Sequence, residues 1–282
     1  MARIVLGHRD GALATRLART VLTDLAAEWP DVQLVPRTLA GTASSGDDPV
    51  LEALTGGTIG LAVVACETLR TPLPDGIALV AVTRRLEPRL ALVAKGAAGM
   101  AALAPQALIG VGADRDLPFL QAGFPDMRHE TVGTDVDRAL ARLATGELDA
   151  LVLSASTLIM MDRRDHVRTL LEPDVLPPAP GQGSLALLAR SDDDLAAEVA
   201  YTLQHRPSFD RVRAERAFAA GLPGRATGAL ASVDAEGEMQ LFGAVALGGT
   251  TLQASVSGEA REAEELGSEL AKDVATQLDA LG

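Results

Sequence analysis

Apolar runs alternate with amphipathic stretches along the first two thirds of the chain. Short apolar runs without polar alternation predict strands that are covered on both faces. They span residues 3–6, 32–35, 59–64, 77–82, 90–93, 108–111, 150–153 and 184–189. Leu13, Leu17, Val21, Leu22 and Leu25 recur at helical spacing, which predicts a helix that starts at Arg9 or Asp10 and ends at Trp29-Pro30. This alternation predicts an α/β fold with helix-covered sheets.

Turn and cap residues bound the other elements of this part. The Gly/Ser/Thr/Asp-rich stretch 39–48 predicts a loop, and 49–54 predicts a short helix with proline in its first turn. Thr134 and Asp137 stand three apart before an apolar stripe, which predicts a helix start with a capping box. The segment 177–183 predicts a stiff turn that leads into the strand at 184.

The C-terminal third has a different pattern. Residues 195–203 and 211–220 predict helices, and 228–233, 238–246 and 250–256 predict three successive strands. Gly237 and Gly248-Gly249 fall in the turns between those strands. The amphipathic stretch 260–281 predicts a helix that covers one face of their sheet.

Composition narrows the classes of function. The chain of 282 residues has 25 basic and 38 acidic side chains and a net charge of −13, which argues against nucleic acid or anionic lipid as a partner. One cysteine excludes an intrachain disulfide and a cysteine-based metal cluster. No secretory signal or membrane span is predicted, so we expect a cytoplasmic protein; its oligomeric state is left open.

Candidate chemistry is sparse when the residues are considered alone. The four histidines lack metal-ligand spacing, and no metal site is predicted; His8 stands apart because it follows the first strand, where α/β ligand clefts open. No nucleophile elbow or phosphate loop is present. Charged residues cluster after predicted strands or at helix starts, and in an open α/β fold they would face one polar cleft between domains. They are Arg9, Asp10, Glu67, Arg70, Asp114, Arg115, Asp116 and Asp135.

Five segments together resemble one family. They are TPLPDGIALVAVTRRLEPRLALV from Thr71, FPDMRHETVGTD from Phe124, ATGELDALVL from Ala144, PAPGQGSLAL from Pro178 and RVRAERAF from Arg211. In this order and spacing they resemble hydroxymethylbilane synthase, also called porphobilinogen deaminase. The resemblance covers almost the whole chain.

The resemblance implies two periplasmic-binding-protein-like (type 2) α/β domains around a cleft and a small C-terminal α+β domain with a three-stranded sheet. It places domain 1 at 1–85 and 184–203, domain 2 at 88–180, and an αβββα domain 3 at 206–282. Members of the family are transferases that join four porphobilinogen units and release ammonia. In these enzymes a cysteine carries a dipyrromethane primer, an aspartate carries out the proton transfers of the reaction, and arginines bind the substrate carboxylates.

The chain departs from the family where that chemistry is expected. The family's H-S-x-K-D-V-P loop aligns with 64–70, so that its lysine falls on Glu67 and its catalytic aspartate on Thr68. The primer cysteine aligns with Ala226. Of two paired arginines only Arg115 is kept, and two further family arginines fall on Gly133 and on Gly7, near Arg9. The Gly/Lys-rich lid between Leu39 and Leu51 is missing. We therefore expect no cofactor and predict that dipyrromethane is absent.

Three hypotheses follow for this divergent family member. The first is a repurposed enzyme that acts on a different small molecule in the cleft, with Glu67 as the acid/base group. The second is a non-catalytic binding or regulatory protein, and the third is a genuine hydroxymethylbilane synthase with an unusual primer attachment. The residues predicted to contact the ligand are His8, Arg9, Cys66, Thr68, Asp114, Arg115, Asp116, Asp135, Ser154 and Gln182.

Overall fold

The apolar runs form three separate sheets in a computed structural model that describes residues 2–41, 48–96 and 98–281. The chain divides into two compact units. Met1–Arg85 and Ser184–Phe209 make the first unit, and Leu86–Gly183 and Asp210–Gly282 make the second. Two sheets have five strands each, and a third has three. The predicted α/β class with an additional three-stranded sheet is confirmed.

The first unit is built around one mixed sheet. Its elements are β1 (Ala2–Arg9), α1 (Ala12–Glu28), β2 (Val32–Leu39), α2 (Pro49–Thr55), β3 (Leu61–Ala65), β4 (Ile77–Val82), β10 (Leu185–Arg190) and α6 (Asp194–Tyr201). The strand order is β2-β1-β3-β10-β4, in which β1 is parallel to β2 and β3, and β10 is antiparallel to its neighbours. The carboxyl ends of β1 and β3 therefore lie at one edge of the sheet.

The apolar stripe of α1 covers one face of that sheet. Leu17, Val21 and Leu25 are buried, and the cluster around Leu25 includes Leu6 and Leu61 from the strands. Each fully buried leucine contributes about 2 kcal/mol of transfer free energy. Helical periodicity in α1 and unbroken apolar strands together keep the end of β1 in place.

The second unit contains a sheet of the same design. Its elements are β5 (Leu90–Ala94), β6 (Leu108–Val111), α3 (Leu117–Gly123), β7 (Arg128–Thr131), α4 (Val136–Thr145), β8 (Ala150–Ser154), α5 (Ala155–Met160) and β9 (Thr169–Leu170). The strand order is β7-β6-β8-β5-β9, with β6 parallel to β7 and β8 and with β5 antiparallel to its neighbours. Residues 112–116 follow the carboxyl end of β6.

The three-stranded antiparallel sheet belongs to the same second unit. Its strands are β11 (Thr227–Val233), β12 (Glu238–Leu247) and β13 (Thr250–Glu259), in the order β11-β12-β13. Helix α7 (Arg206–Ala220) begins in the first unit and continues in the second, and α8 (Ala263–Leu281) follows β13. Phe218 of α7 and Leu270 of α8 lie in one buried cluster with Leu241 of β12.

Gly267 lets α8 approach α7 closely. A Cβ atom at this position would lie 2.2 Å from the carbonyl oxygen of Ala214 and 2.7 Å from Cβ of Ala217. We expect Gly267→Ala to lower the free energy of unfolding by about 2 kcal/mol, because overpacking exceeds the gain in helix propensity. Urea denaturation measures this loss, with the exposed Ser268→Ala on the same helix as the control. An increase in stability would contradict the close approach.

Several predicted elements differ in the structure. The strands β7 and β9 and the helix α3 were not predicted, because β7 is a half-exposed polar edge strand and the other two are short. The predicted capping box at Thr134 and Asp137 is wrong: Asp135 caps α4 by accepting a hydrogen bond from Arg138 N at 3.0 Å. Of the predicted loop and missing lid at 39–51, residues 42–47 lie outside the described residues.

Helix α7 also starts earlier than predicted, at Arg206. The predicted start at Arg211 followed the apolar pattern. In the structure the ring Nδ1 of His205 lies 2.8 Å from Oγ of Ser208 and accepts a hydrogen bond from Ser208 N at 3.3 Å. A side chain ahead of the first turn thus supplies an acceptor to the helix start, which extends the helix toward its N-terminus.

Candidate functional site

A polar cluster of the first unit lies where β1 ends. The guanidinium of Arg9 donates from NH1 to Oγ1 of Thr68 at 2.7 Å and from NH2 to Oδ2 of Asp48 at 2.5 Å. Its Nε lies 3.4 Å from the other oxygen of Asp48. Asp48 caps α2 by accepting from Val50 N at 3.0 Å, and Thr68 donates to the carbonyl of Ala65 at 2.9 Å. Both partners of Arg9 are therefore held by backbone groups of their own segments.

Next to this cluster, His8 is a buried residue of β1. It is 3% exposed, its Nδ1 lies 2.8 Å from the carbonyl of Arg9, and its Nε2 lies 3.3 Å from Oγ1 of Thr38. Gly7 has no room for a side chain, because a Cβ atom there would lie 2.5 Å from Cδ1 of Ile59. Arg9, and not residue 7, is where an arginine can stand at this end of β1.

The turn after β3 carries three of the predicted site residues. Cys66, Glu67 and Thr68 form one 3-10 turn. Cys66 is 1% exposed, and its backbone N–H donates to the carbonyl of Ser184 at 2.9 Å. Glu67 is half-buried, whereas Thr68 is exposed. The hydroxyl of Thr68 reaches the cluster by accepting a hydrogen bond from Arg9.

In the second unit, Arg115 and Asp116 form a partly buried ion pair after β6, in which the aspartate is the buried member. Arg115 NH1 lies 2.7 Å from Oδ1 of Asp116, and both terminal nitrogens of Arg115 donate to the carbonyl of Pro177, at 3.2 and 3.1 Å. The guanidinium also stacks 5.1 Å from the ring centre of Phe119. Burial raises the pKa of Asp116 above its usual value, against the opposing effect of Arg115, and burial lowers the pKa of Arg115.

Three other predicted residues of this unit bond to nearby groups. Asp114 accepts a hydrogen bond from the hydroxyl of Thr131. Asp135 caps α4, and Ser154 caps α5, where its Oγ lies 2.7 Å from Oγ of Ser156. Within the described part of the chain, no hydrogen bond joins Asp135 or Ser154 to Arg115, and their role in binding stays a prediction.

Gln182 and Glu215 hold the segment that carries part of the family resemblance. Gln182 is 4% exposed, donates to the carbonyl of Pro88 at 2.6 Å and accepts from Ala179 N at 3.3 Å. Glu215 is fully buried and accepts from Gly181 N at 2.6 Å and from Ala231 N at 2.8 Å. One carboxylate of α7 thus joins the turn before β10 to the strand β11.

Sequence reasoning missed Asp48 and Glu215 as residues that organise these sites. For Asp48 a local signal existed, because an aspartate directly before a proline is typical of a helix N-terminus. Nothing local indicated its pairing with Arg9, which lies 39 residues away. Glu215 lies in the segment RVRAERAF, which was compared with the family as a whole, so the role of its carboxylate was not considered separately.

The described residues contain no group of three side chains that could hold a metal ion. Over the same part of the chain, none of the helices combines the length and apolar character needed to cross a bilayer.

Comparison with known proteins places the chain among one group of enzymes. A family model described as "Porphobilinogen deaminase, dipyromethane cofactor binding domain" matches residues 4–198. The porphobilinogen deaminase of Thermus thermophilus is 38% identical over 98% of this chain and 97% of its own length. That of Deinococcus radiodurans is 35% identical over 97% of this chain and 96% of its own length.

Similarity to solved structures is more distant. An extracytoplasmic solute receptor of Bordetella pertussis that binds pyroglutamic acid has a TM-score of 0.46 and 13% identity, over 74% of this chain and 80% of its own. A Salmonella typhimurium periplasmic binding protein with high arginine specificity has a TM-score of 0.45 and 11% identity, over 72% and 92%. Similarity at this level carries no information about a ligand.

The family model corrects one expectation from the sequence. We expected no cofactor and an absence of dipyrromethane, and this is wrong: the matching model is described by its dipyrromethane cofactor, which points to that group. The side chain at position 226 does not fit a thioether link, because alanine has no sulfur. The one cysteine, Cys66, is 1% exposed.

The resemblance of the five segments thus extends over nearly the whole chain. The family model covers more than half of it, and two relatives exceed 30% identity over almost their full lengths. Local departures at Thr68 and Ala226 do not change that match. This chain belongs to the porphobilinogen deaminase family.

Proposed function

We propose that the chain binds porphobilinogen and joins its pyrrole units with release of ammonia. The observation that carries the proposal is the cluster of Arg9, Asp48 and Thr68, where a guanidinium and a carboxylate meet at the carboxyl ends of two parallel strands. Ligands of open α/β sheets bind at such strand ends. The enzymes to which the chain is similar along its whole length carry the name of this reaction.

Arg9 is the group that would bind a carboxylate of the substrate. Its hydrogen bonds within the described residues use one N–H on each of its three nitrogens, which leaves one N–H on each terminal nitrogen. A substrate carboxylate can accept charge-assisted hydrogen bonds from these two donors. The bonds from Asp48 and Thr68 hold the guanidinium in one orientation before the substrate arrives.

Binding without turnover is the second candidate. It is favoured by Thr68, a hydroxyl at the position that the resemblance assigns to the catalytic aspartate, and by Ala226 at the position of the primer cysteine. A different small-molecule substrate with Glu67 as the acid/base group stays a prediction, as does the cytoplasmic location. Turnover of porphobilinogen separates the first proposal from both of these.

The test incubates the purified full chain with porphobilinogen. We expect porphobilinogen, followed with Ehrlich reagent, to disappear with about one ammonia released for each unit joined. Arg9→Gln should lower kcat/KM by about 100-fold through the loss of a charged contact to the substrate carboxylate. The exposed Arg19→Gln on α1 is the matched control and should change it by less than twofold.

Two other outcomes would contradict turnover of porphobilinogen. Saturable binding without loss of porphobilinogen would establish the binding role. No binding would point to another ligand, and Glu67→Ala then tests for an enzyme: lost turnover of that ligand with binding intact favours acid/base chemistry. The mass of the denatured protein, measured beside these assays, reports directly whether pyrrole units are covalently attached.

A further inference from the structure

We propose that Asp48 is a specificity-determining residue that limits how strongly Arg9 binds the carboxylates of a ligand. The inference deepens the proposed function and rests on it for the identity of the ligand. It starts from the position of Asp48, which is 7% exposed at the N-terminus of α2. The carboxylate cannot rotate away without breaking its bonds to Val50 N and to Arg9 together.

The pairing with Asp48 cancels the charge of Arg9 where a ligand would meet it. The two side chains make an ion pair at 2.5 Å with side-chain exposures of 17% and 7%. Partly buried pairs are screened by salt less than exposed pairs are. A ligand carboxylate that binds Arg9 therefore encounters the guanidinium together with the fixed negative charge of Asp48, 2.5 Å from NH2 of Arg9.

The hydroxyl of Thr68 adds orientation to this arrangement without adding charge. It accepts from Arg9 and already donates to the carbonyl of Ala65. The cluster of Arg9, Asp48 and Thr68 is thus neutral overall but well oriented. Such a site favours a ligand that offers one well-placed carboxylate over a ligand whose binding depends on the sum of many negative charges.

The sharpest variant is Asp48→Asn. Asparagine caps a helix about as well as aspartate and keeps one oxygen for Val50 N and Nε of Arg9. Its NH2 group replaces the oxygen that accepts from NH2 of Arg9, so that the variant removes both the charge and that hydrogen bond. Asp48→Ser is a second variant without charge that keeps a capping oxygen, in case the first is unstable. Glu52→Gln, an exposed carboxylate in the first turn of the same helix, is the matched control.

The experiment measures dissociation constants by calorimetry on the full chain at low and at physiological salt. The probes are porphobilinogen and succinate, a dicarboxylate without a pyrrole. We expect Asp48→Asn to bind succinate about tenfold more tightly than the unaltered chain at low salt, with the gain reduced at higher salt. Glu52→Gln should stay within twofold, and Arg9→Gln added to Asp48→Asn should abolish the gain.

The outcomes separate this inference from the proposed function. Equal or weaker succinate binding by both Asp48→Asn and Asp48→Ser, or no binding by either, overturns the inference. Tighter succinate binding without any binding of porphobilinogen supports the inference and contradicts the proposed function. Tighter binding of both probes supports the inference and shows that porphobilinogen is a ligand, whose turnover the Ehrlich assay tests separately. A gain that survives Arg9→Gln overturns the assignment to Arg9.

Discussion

Replacement of Glu215 by glutamine lowers the free energy of unfolding of the second unit by about 3 kcal/mol. Both carboxylate oxygens of Glu215 accept buried backbone hydrogen bonds, one from Gly181 and one from Ala231. Glutamine has the same shape but one acceptor, so that its NH2 group would face a second donor. The variant therefore has one neutral hydrogen bond and one unsatisfied backbone N–H in place of two charge-assisted hydrogen bonds.

Chemical denaturation of Glu215→Gln and Glu215→Ala measures this effect. We expect Glu215→Ala to be destabilised at least as much as Glu215→Gln, because glutamine keeps the packing and one acceptor whereas alanine removes the packing and both acceptors. Glu269→Gln on the exposed side of α8 is the matched control and should change stability by less than about 0.5 kcal/mol. A glutamine variant as stable as the unaltered chain would show that the two bonds do not hold these segments.

Replacement of Arg115 by methionine should lower stability at pH 8 by about 3 kcal/mol. Methionine keeps an apolar stem over Phe119 but leaves Asp116, 3% exposed, without its counter-charge. The carbonyl of Pro177 also loses both of its hydrogen bonds from Arg115. Breaking a buried pair from one side costs more than removing both members.

The loss caused by Arg115→Met should depend on pH. Burial already raises the pKa of Asp116, and removal of the neighbouring positive charge raises it further. Between its unfolded and folded pKa values the native state then binds more protons than the unfolded state, so that stability falls as pH rises. We expect the deficit relative to the unaltered chain to be smallest near pH 4 and to grow toward neutral pH.

The double variant Arg115→Met/Asp116→Asn tests the cause. It should recover part of the stability and lose the added pH dependence, because no buried carboxyl is left to titrate at this position. Arg138→Met, an exposed change in α4, is the control for loss of one arginine. A deficit of Arg115→Met that does not vary with pH would show that Asp116 is not the group affected.

The segments that carry the family resemblance are partly structural in this chain. Gly181 lies in the segment PAPGQGSLAL and Glu215 in RVRAERAF, and a hydrogen bond joins them. The side chain of Gln182, also in the first segment, makes hydrogen bonds to the carbonyl of Pro88 and to the N–H of Ala179. Such motifs maintain the fold of the second unit, which explains how they can persist where Thr68 and Ala226 replace the residues expected for the chemistry.

Pattern alone predicted the fold well where burial is regular. The runs at 61–65, 90–94 and 150–153 are unbroken apolar stretches, and each forms a strand in the interior of a five-stranded sheet. The half-exposed strand β7 and the cap of α4 by Asp135 were missed, because an edge strand needs no apolar run and two adjacent polar residues can compete for one cap.

The candidate site was predicted only in part. Arg9 was chosen because it follows a predicted strand, and Thr68 because it falls on the position of the family's catalytic aspartate. The structure joins them by a hydrogen bond of 2.7 Å. Arg115 was predicted to contact the ligand, and in the structure its guanidinium bonds to Asp116 and to the carbonyl of Pro177. Whether it also contacts a ligand stays a prediction. A side chain's partners depend on segments far apart in the sequence, which no local pattern reveals.

The sequence by itself determined the α/β class, the separate three-stranded sheet and the family. The spacing of apolar residues and the order of the motifs are visible along the chain without any knowledge of which residues come into contact. The tertiary structure alone decided that Asp48 meets Arg9 and that Glu215 joins two distant backbone segments. These contacts arise when strand order and helix packing bring residues 16 to 39 positions apart within hydrogen-bonding distance. Hydrogen bonds act over about 3 Å, so that charge and acceptor partners follow from packing and not from sequence spacing.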